Sequence, residues 1–274
     1  MPSPERPFET ALVLLSLLPR RPHELYDRAA GYADLALDRL SRRPPAHETV
    51  AWEAVLRALE AFPGQADDIL RESALLEIEG GTRRLLGSIR GEDAFSQRWA
   101  ADSLFARLCY LSCRLTRPTT VVETGVAYGV SAAYILRAMQ VNGRGTLHSI
   151  DLPPPRRDYG RFWGVAVPED LRAGWRLHRG SSRRLLPGLL EALGPLDLFV
   201  HDSLHTRRNM GREFETAWPS LRPGGILLAD DVERNPAFAD LRRRDPTLWL
   251  VVRDREKDPL HGRAAPVVFG AAVK

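Results

Sequence analysis

From Ala100 to the end of the chain, short apolar runs alternate with helix-length segments, and that alternation restricts the fold to a largely parallel sheet packed with helices. Thr120-Val121-Val122-Glu123 reads as the first buried strand, and a glycine turn leads from it into a helix from Ser131 to Gln140. Thr146 to Asp151, Trp175 to Arg179, Leu196 to His201 and Gly225 to Ala229 supply four more strands. Trp249 to Arg253 and Pro266 to Val273 are the last two. With only a short loop and no helix between them, they should pair as an antiparallel hairpin at one edge. A plain dinucleotide-binding sheet would instead continue in βα units. The expected fold class is α/β: a Rossmann-like seven-stranded sheet with an antiparallel C-terminal hairpin, preceded by an all-helical N-terminal region.

Before Ala100 the periodicity is helical. Trp52, Val55, Leu59 and Phe62 recur at steps of three and four, which predicts a helix from about His47 to Phe62, ended by Pro63-Gly64. A second helix is expected from Ala66 to Glu79, with Ile69, Leu70 and Leu76 inward and Gly80-Gly81 as its stop. Tyr32, Leu35 and Leu40 suggest an earlier one between Glu24 and Arg43, and no strand signal stands out. Residues 1–99 are thus expected to be a helical cap or oligomerisation region, and 100–274 an α/β domain. Hydrophobic residues at 44% and charged residues at 27% exclude a disordered or fibrous chain.

The run Ala11 to Leu18 is too short to span a bilayer, acidic residues precede it, and no small-residue cleavage site follows. Cys109 and Cys113 are the only cysteines, and one helical turn apart they make poor disulfide partners. Both features predict a cytoplasmic protein with buried free thiols and no membrane contact. Lys257 and Lys274 are the only lysines among 39 basic side chains. That arginine excess raises the question of nucleic acid or phosphate ligands. Because 35 acidic residues nearly balance it, the excess is read as solvated surface.

Open α/β sheets bind ligands at the carboxyl ends of their strands, and the residues with chemistry fall there. Glu123-Thr124-Gly125-Val126-Ala127-Tyr128-Gly129-Val130-Ser131 is an acidic strand end followed by a glycine turn that opens a helix. Its spacing is G-x-x-x-G, and the missing middle glycine argues against pyrophosphate. Glu123 would then face the ligand directly, which suits a cationic amine. Asp151, ending the second strand, can accept both hydroxyls of a ribose. The Gly180-Ser181-Ser182 turn could sit beside an adenine.

These residues, with the stretch Asp197 to Asp231, resemble the motifs of class I S-adenosylmethionine-dependent methyltransferases. The likeness is to the small-molecule O-methyltransferase branch that includes macrocin O-methyltransferase. Phe199-Val200-His201-Asp202-Ser203-Leu204-His205-Thr206 is its most specific part and Pro223-Gly224-Gly225 the second. The resemblance covers about residues 100–274 and implies S-adenosylmethionine as cofactor. It implies Glu123, Gly125 and Gly129 at the methionine end, Asp151 at the ribose and Ser181 or Ser182 at the adenine edge. Tyr128, Ser131 and Asp202 complete the candidate cofactor-binding set.

Asp202 and the pair Asp230-Asp231 end neighbouring strands, and three converging carboxylates repel unless a cation sits among them. All-oxygen ligands favour a hard ion such as Mg²⁺, and the set is similar to that of the catechol O-methyltransferase-type enzymes. His205, where those enzymes carry a lysine, is the candidate catalytic base, acting with Asp202. His201 should point to the opposite side of the strand and pack, and His148 and His178 are assigned no chemistry. The connection Leu152 to Gly174, with Arg156-Arg157, Tyr159, Phe162 and Trp163, has the length of a lid or binding segment. The expected partner is a small-molecule hydroxyl acceptor, with a homo-oligomer through the N-terminal helices as a further expectation. An RNA methyltransferase is disfavoured by the scattered basic residues, and a nicotinamide oxidoreductase by the glycine spacing. A metal-independent methyltransferase or a cofactor-binding protein stays open.

Overall fold

The computed structural model describes residues 13–18, 21–40, 45, 47–61, 63–89, 99–155, 159–254 and 266–274. Its sheet contains β1 (Thr120–Thr124), β2 (Thr146–Asp151), β3 (Trp175–Arg179), β4 (Leu196–His201), β5 (Leu221–Asp230), β6 (Leu248–Asp254) and β7 (Val267–Val273). Their order across the sheet is β3-β2-β1-β4-β5-β7-β6. The first five run parallel, and β7 lies antiparallel between β5 and β6. The reversed final hairpin is therefore present. The chain changes direction across the sheet between β1 and β4, which opens a crevice at their carboxyl ends.

The central strands β1, β4 and β5 are apolar toward their carboxyl ends because both faces are covered there, and period-two alternation sends successive side chains to opposite sides. Val121, Leu198, Val200, Ile226 and Leu228 pack into one core cluster. Val122, Phe199, Leu227 and Ala229 pack into the other. The first core is closed by α5 (Ser103–Thr116) and α6 (Val130–Asn142), the second by α7 (Ser182–Leu193), α8 (Arg207–Ser220) and the short α9 (Ala237–Asp240). Cys109 and Cys113 lie fully buried and unpaired on α5.

The N-terminal helices are α1 (Pro22–Leu40), α2 (Trp52–Leu59), α3 (Gln65–Leu70) and α4 (Ser73–Ser88). Val55, Leu56, Ala66, Ile69, Leu75, Ile78 and Leu86 join the same core as α5 and α6. Three expectations fail here, each for a local reason. The helix expected over Ala66–Glu79 is two helices, and α4 runs through Gly80-Gly81 because burial of Ile78, Thr82 and Leu86 outweighs about 1 kcal/mol per glycine. Leu76 is 55% exposed while Leu75 takes the inward place. Residues 47–50 do not begin α2; Val50 bridges the β6 edge, donating to Val251 O at 2.8 Å and accepting from Arg253 N at 3.0 Å.

Helix α1 inverts the usual pattern. Its buried side chains are Glu24, Asp27 and Asp34, whereas Tyr26, Leu37 and Leu40 face solvent. Glu24 accepts from Arg28 at 2.7 Å and from Arg179, at the end of β3, at 2.8 Å. Asp27 pairs with Arg184 at 3.2 Å, and Asp34 lies 3.5 Å from both Arg183 and Arg208. Arg28 also donates to Pro153 O just beyond β2, and Arg207 N donates to Asp38. A share of the arginine excess therefore clasps an acidic helix across the carboxyl ends of the strands, which corrects the reading of that excess as surface. Buried carboxylates of this kind are tolerable only when paired.

Candidate functional site

The β1–α6 turn approaches the end of β4 so closely that a Cβ on Gly125 would stand 2.0 Å from Asp202 O. Gly125 also holds φ +88°, a left-handed conformation that an L side chain rarely adopts. Gly129, at φ +83°, meets Gly164 Cα at 3.0 Å in the same sense. Both glycines thus admit protein backbone. Gly164 N donates to Ala127 O at 2.9 Å and Ala166 N to Tyr128 O at 2.8 Å, so the 162–167 segment lies along the turn. Of the long connection, Phe162 and Trp163 are built into this contact; Arg156 and Arg157 lie outside the described residues.

Glu123 is fully buried beneath the turn. Ser131 Oγ donates to one of its oxygens at 2.5 Å and Ser149 Oγ to the other at 2.7 Å. The expectation that Glu123 faces a ligand directly is corrected: it is an anchor inside the domain, with Ser131 as its donor and Tyr128 wholly in the core. Burial pushes its carboxyl up to about 7, against the two serine hydrogen bonds that lower it. A carboxyl raised in the fold adds stability fully present below about 4.5 and lost as pH rises through about 7, on the order of 3 kcal/mol. Glu123→Gln, which mimics the protonated acid, should therefore melt several degrees above the parent at pH 8 and with it below pH 5. Parallel melting curves across that range would show that Glu123 is ionised at no cost.

Asp151 ends β2 beside the turn and accepts from Ala127 N at 3.2 Å and Trp163 Nε1 at 2.8 Å. The chain itself occupies one of its oxygens, and burial raises its carboxyl against those bonds. Across the crevice, Ser181 caps α7 with a buried hydroxyl that has no hydrogen-bond partner, and Ser182 Oγ reaches Asn209 Oδ1 at 3.5 Å. The free Ser181 hydroxyl fits a ligand edge at this point.

At the ends of β4 and β5, Asp202, His205 and Asp230 each offer one ligand atom within 4.8 Å of the others. Burial, then the neighbouring carboxylates, push both aspartates well above the usual carboxylate range. Asp231 does not join them. Its carboxylate is taken by Arg234 at 2.7 Å and by His205 Nδ1 at 3.3 Å. Among the described residues, the group whose ligand atoms come this close holds two of the three expected aspartates together with an imidazole. Burial holds His205 down to about 4, so the ring is neutral at physiological pH. With Nδ1 turned to Asp231, the buried Nε2 has no hydrogen-bond partner and stands 3.8 Å from Asp202. Two carboxylates and a free imidazole nitrogen fit a divalent cation and are less selective for Mg²⁺ than an all-oxygen set.

His201 packs as expected, fully buried, but it also pairs with Glu213 at 2.6 Å and meets the His205 ring edge-on at 5.3 Å. His148 and His178 stack on each other. Sequence reasoning missed Glu213. Its signal was the α8 face of Thr206, Asn209, Met210, Glu213 and Ala217, all buried, in which an acid at a core position demands partners.

Residues 122–232 match the family model described as a methyltransferase domain. Residues 122–232, on the seven-stranded α/β sheet, are thus similar to that methyltransferase family over less than half of the chain. The match begins on β1 and ends just past Asp231, so it contains every residue of the glycine turn and of the acidic cluster. Its 159-residue alignment with the 8-demethyl-8-α-L-rhamnosyl tetracenomycin-C 2′-O-methyltransferase of Streptomyces olivaceus is 26% identical, covering 55% of this chain. The aligned stretch spans 39% of that relative's length. Among solved structures, the O-methyltransferase TomG of Streptomyces achromogenes is 18% identical with a TM-score of 0.48, covering 81% of this chain and 96% of that one. The O-methyltransferase of Bacillus cereus is 15% identical at TM-score 0.48, covering 80% and 100%. Among the described residues no helix is long and apolar enough to cross a membrane.

Proposed function

We propose that the protein is an S-adenosylmethionine-dependent O-methyltransferase that methylates a hydroxyl of a small molecule with the help of a divalent cation. The observation that carries this reading is the convergence of Asp202, His205 and Asp230 beside the glycine turn of a methyltransferase domain. The relative from S. olivaceus acts, by its name, on a sugar hydroxyl, which supports a sugar-bearing acceptor.

Methyl transfer is a direct displacement: the acceptor oxygen bonds to the methyl carbon as the carbon–sulfur bond breaks and the sulfonium charge is lost. The protein's task is alignment, for which position alone can supply about 7–11 kcal/mol. Asp202 and Asp230 would hold the cation, which supplies Lewis acidity toward the acceptor hydroxyl. His205 Nε2, neutral and facing Asp202, takes the hydroxyl proton. Ser181 and Asp151 would hold the nucleoside, with Trp163 giving up its bond to Asp151. Helix α1, clasped over the strand ends, would be the cover.

Calorimetric titration with S-adenosylmethionine, S-adenosylhomocysteine and NAD, each with and without Mg²⁺ or Mn²⁺, tests the reading. Binding of the two sulfur compounds is expected, with a change in Trp163 fluorescence. Binding of NAD with none of either sulfur compound would overturn it.

A further inference from the structure

Glu213 is 1% exposed, yet four donors converge on its carboxylate. Oε2 accepts from Thr124 Oγ1 at 2.5 Å and from His201 Nδ1 at 2.6 Å. Oε1 accepts from Ser203 Oγ at 2.8 Å and from Asn209 Nδ2 at 2.9 Å. Burial opposes its ionisation, but His201 and these bonds outweigh that and hold the carboxyl down to about 2. An apolar residue of similar volume would fill the space without the desolvation penalty.

The donors share one location. Thr124 immediately precedes Gly125, whose backbone abuts Asp202. His201 precedes Asp202 and Ser203 follows it. Asn209 Nδ2 also donates to Leu204 O at 3.1 Å, the residue before His205. The His201 ring, fixed by Glu213, is set edge-on to His205. One carboxylate on α8 thus ties the ends of β1 and β4 to the segment that presents Asp202 and His205.

We propose that Glu213 is a positioning residue for Asp202 and His205: it touches no reactant, and it fixes the backbone and the imidazole that do. This rests on the O-methyltransferase reading for its purpose, and its geometry can be tested separately. Glu213→Gln keeps the shape and removes one acceptor, so two of the four donors lose their partner. Amide exchange in 203–206 should rise about tenfold or more while exchange elsewhere in the sheet stays as in the parent. The ring-nitrogen resonances of ¹⁵N-histidine-labelled His205 should also shift, although His205 does not touch Glu213. Asn209→Ala, which leaves the carboxylate in place and frees Leu204 O, should give the same local rise and serves if the first variant fails to fold. Unchanged exchange in 203–206, or an equal rise throughout the chain with unmoved His205 resonances, would overturn the proposal. Failure of the parent protein to bind S-adenosylhomocysteine would sink the methyltransferase reading and leave the exchange result to judge Glu213.

Discussion

Gly125→Ala is expected to abolish binding of S-adenosylhomocysteine, with a loss of about a hundredfold or more, and to destabilise the domain by about 3 kcal/mol. Two penalties act together. The backbone stands at φ +88°, and the new Cβ would fall 2.0 Å from Asp202 O, on main chain that cannot swing aside. Relief requires the turn and the β4 end to separate, which moves Asp202 away from the helix N-terminus of α6. Gly143→Ala is the control, because its φ is +67° and nothing lies within 4 Å of a Cβ there. It should cost only about 1 kcal/mol of backbone strain. Calorimetry and denaturant titration of both variants check this, and equal losses in the two would show that the contact with Asp202 is unimportant.

Asp230→Ala should eliminate Mn²⁺ or Mg²⁺ binding while leaving affinity for S-adenosylhomocysteine nearly intact. It removes one of two carboxylates that burial, and then the surrounding carboxylates, push upward. In the absence of cation the variant should be more stable than the parent at pH 8, since a raised carboxyl loses stability as pH climbs. Asp231→Ala should weaken cation binding less, because that carboxylate is held by Arg234 and His205. His205→Ala separates two uses of Nε2: unchanged cation affinity marks it as the base, and a lost one marks it as a ligand. Undiminished cation binding by Asp230→Ala would remove Asp230 from the cation site.

The central strands were legible because a sheet covered on both faces forces apolar runs, and the short spacing between the last two runs in the sequence predicted the reversal of β7. The glycine turn and the acids at the strand ends were legible because the carboxyl ends of the strands border the crevice in this topology. Less visible was what the side chains do once there. Glu123 and Glu213 are both acids beside the glycine turn and the β4 end, and their local sequence does not say that serine, threonine and histidine donors will enclose them. Asn209 lies one turn from Glu213 on α8, but the other donors come from β1, β2, β4, the loop after β4 and α6, up to 89 residues away.

The amino-acid sequence by itself determined the sheet, its closing hairpin, the glycine turn and the placement of Asp202, His205 and Asp230 at the strand ends, because periodicity and spacing are local properties. Tertiary structure decided which carboxylates stay free, that His205 stands where Asp231 was expected, and that α1 turns its acids inward toward arginines from β3, α7 and α8. Those outcomes depend on which charge lies across a gap of 3–4 Å, and that distance is set by packing between segments far apart in the chain.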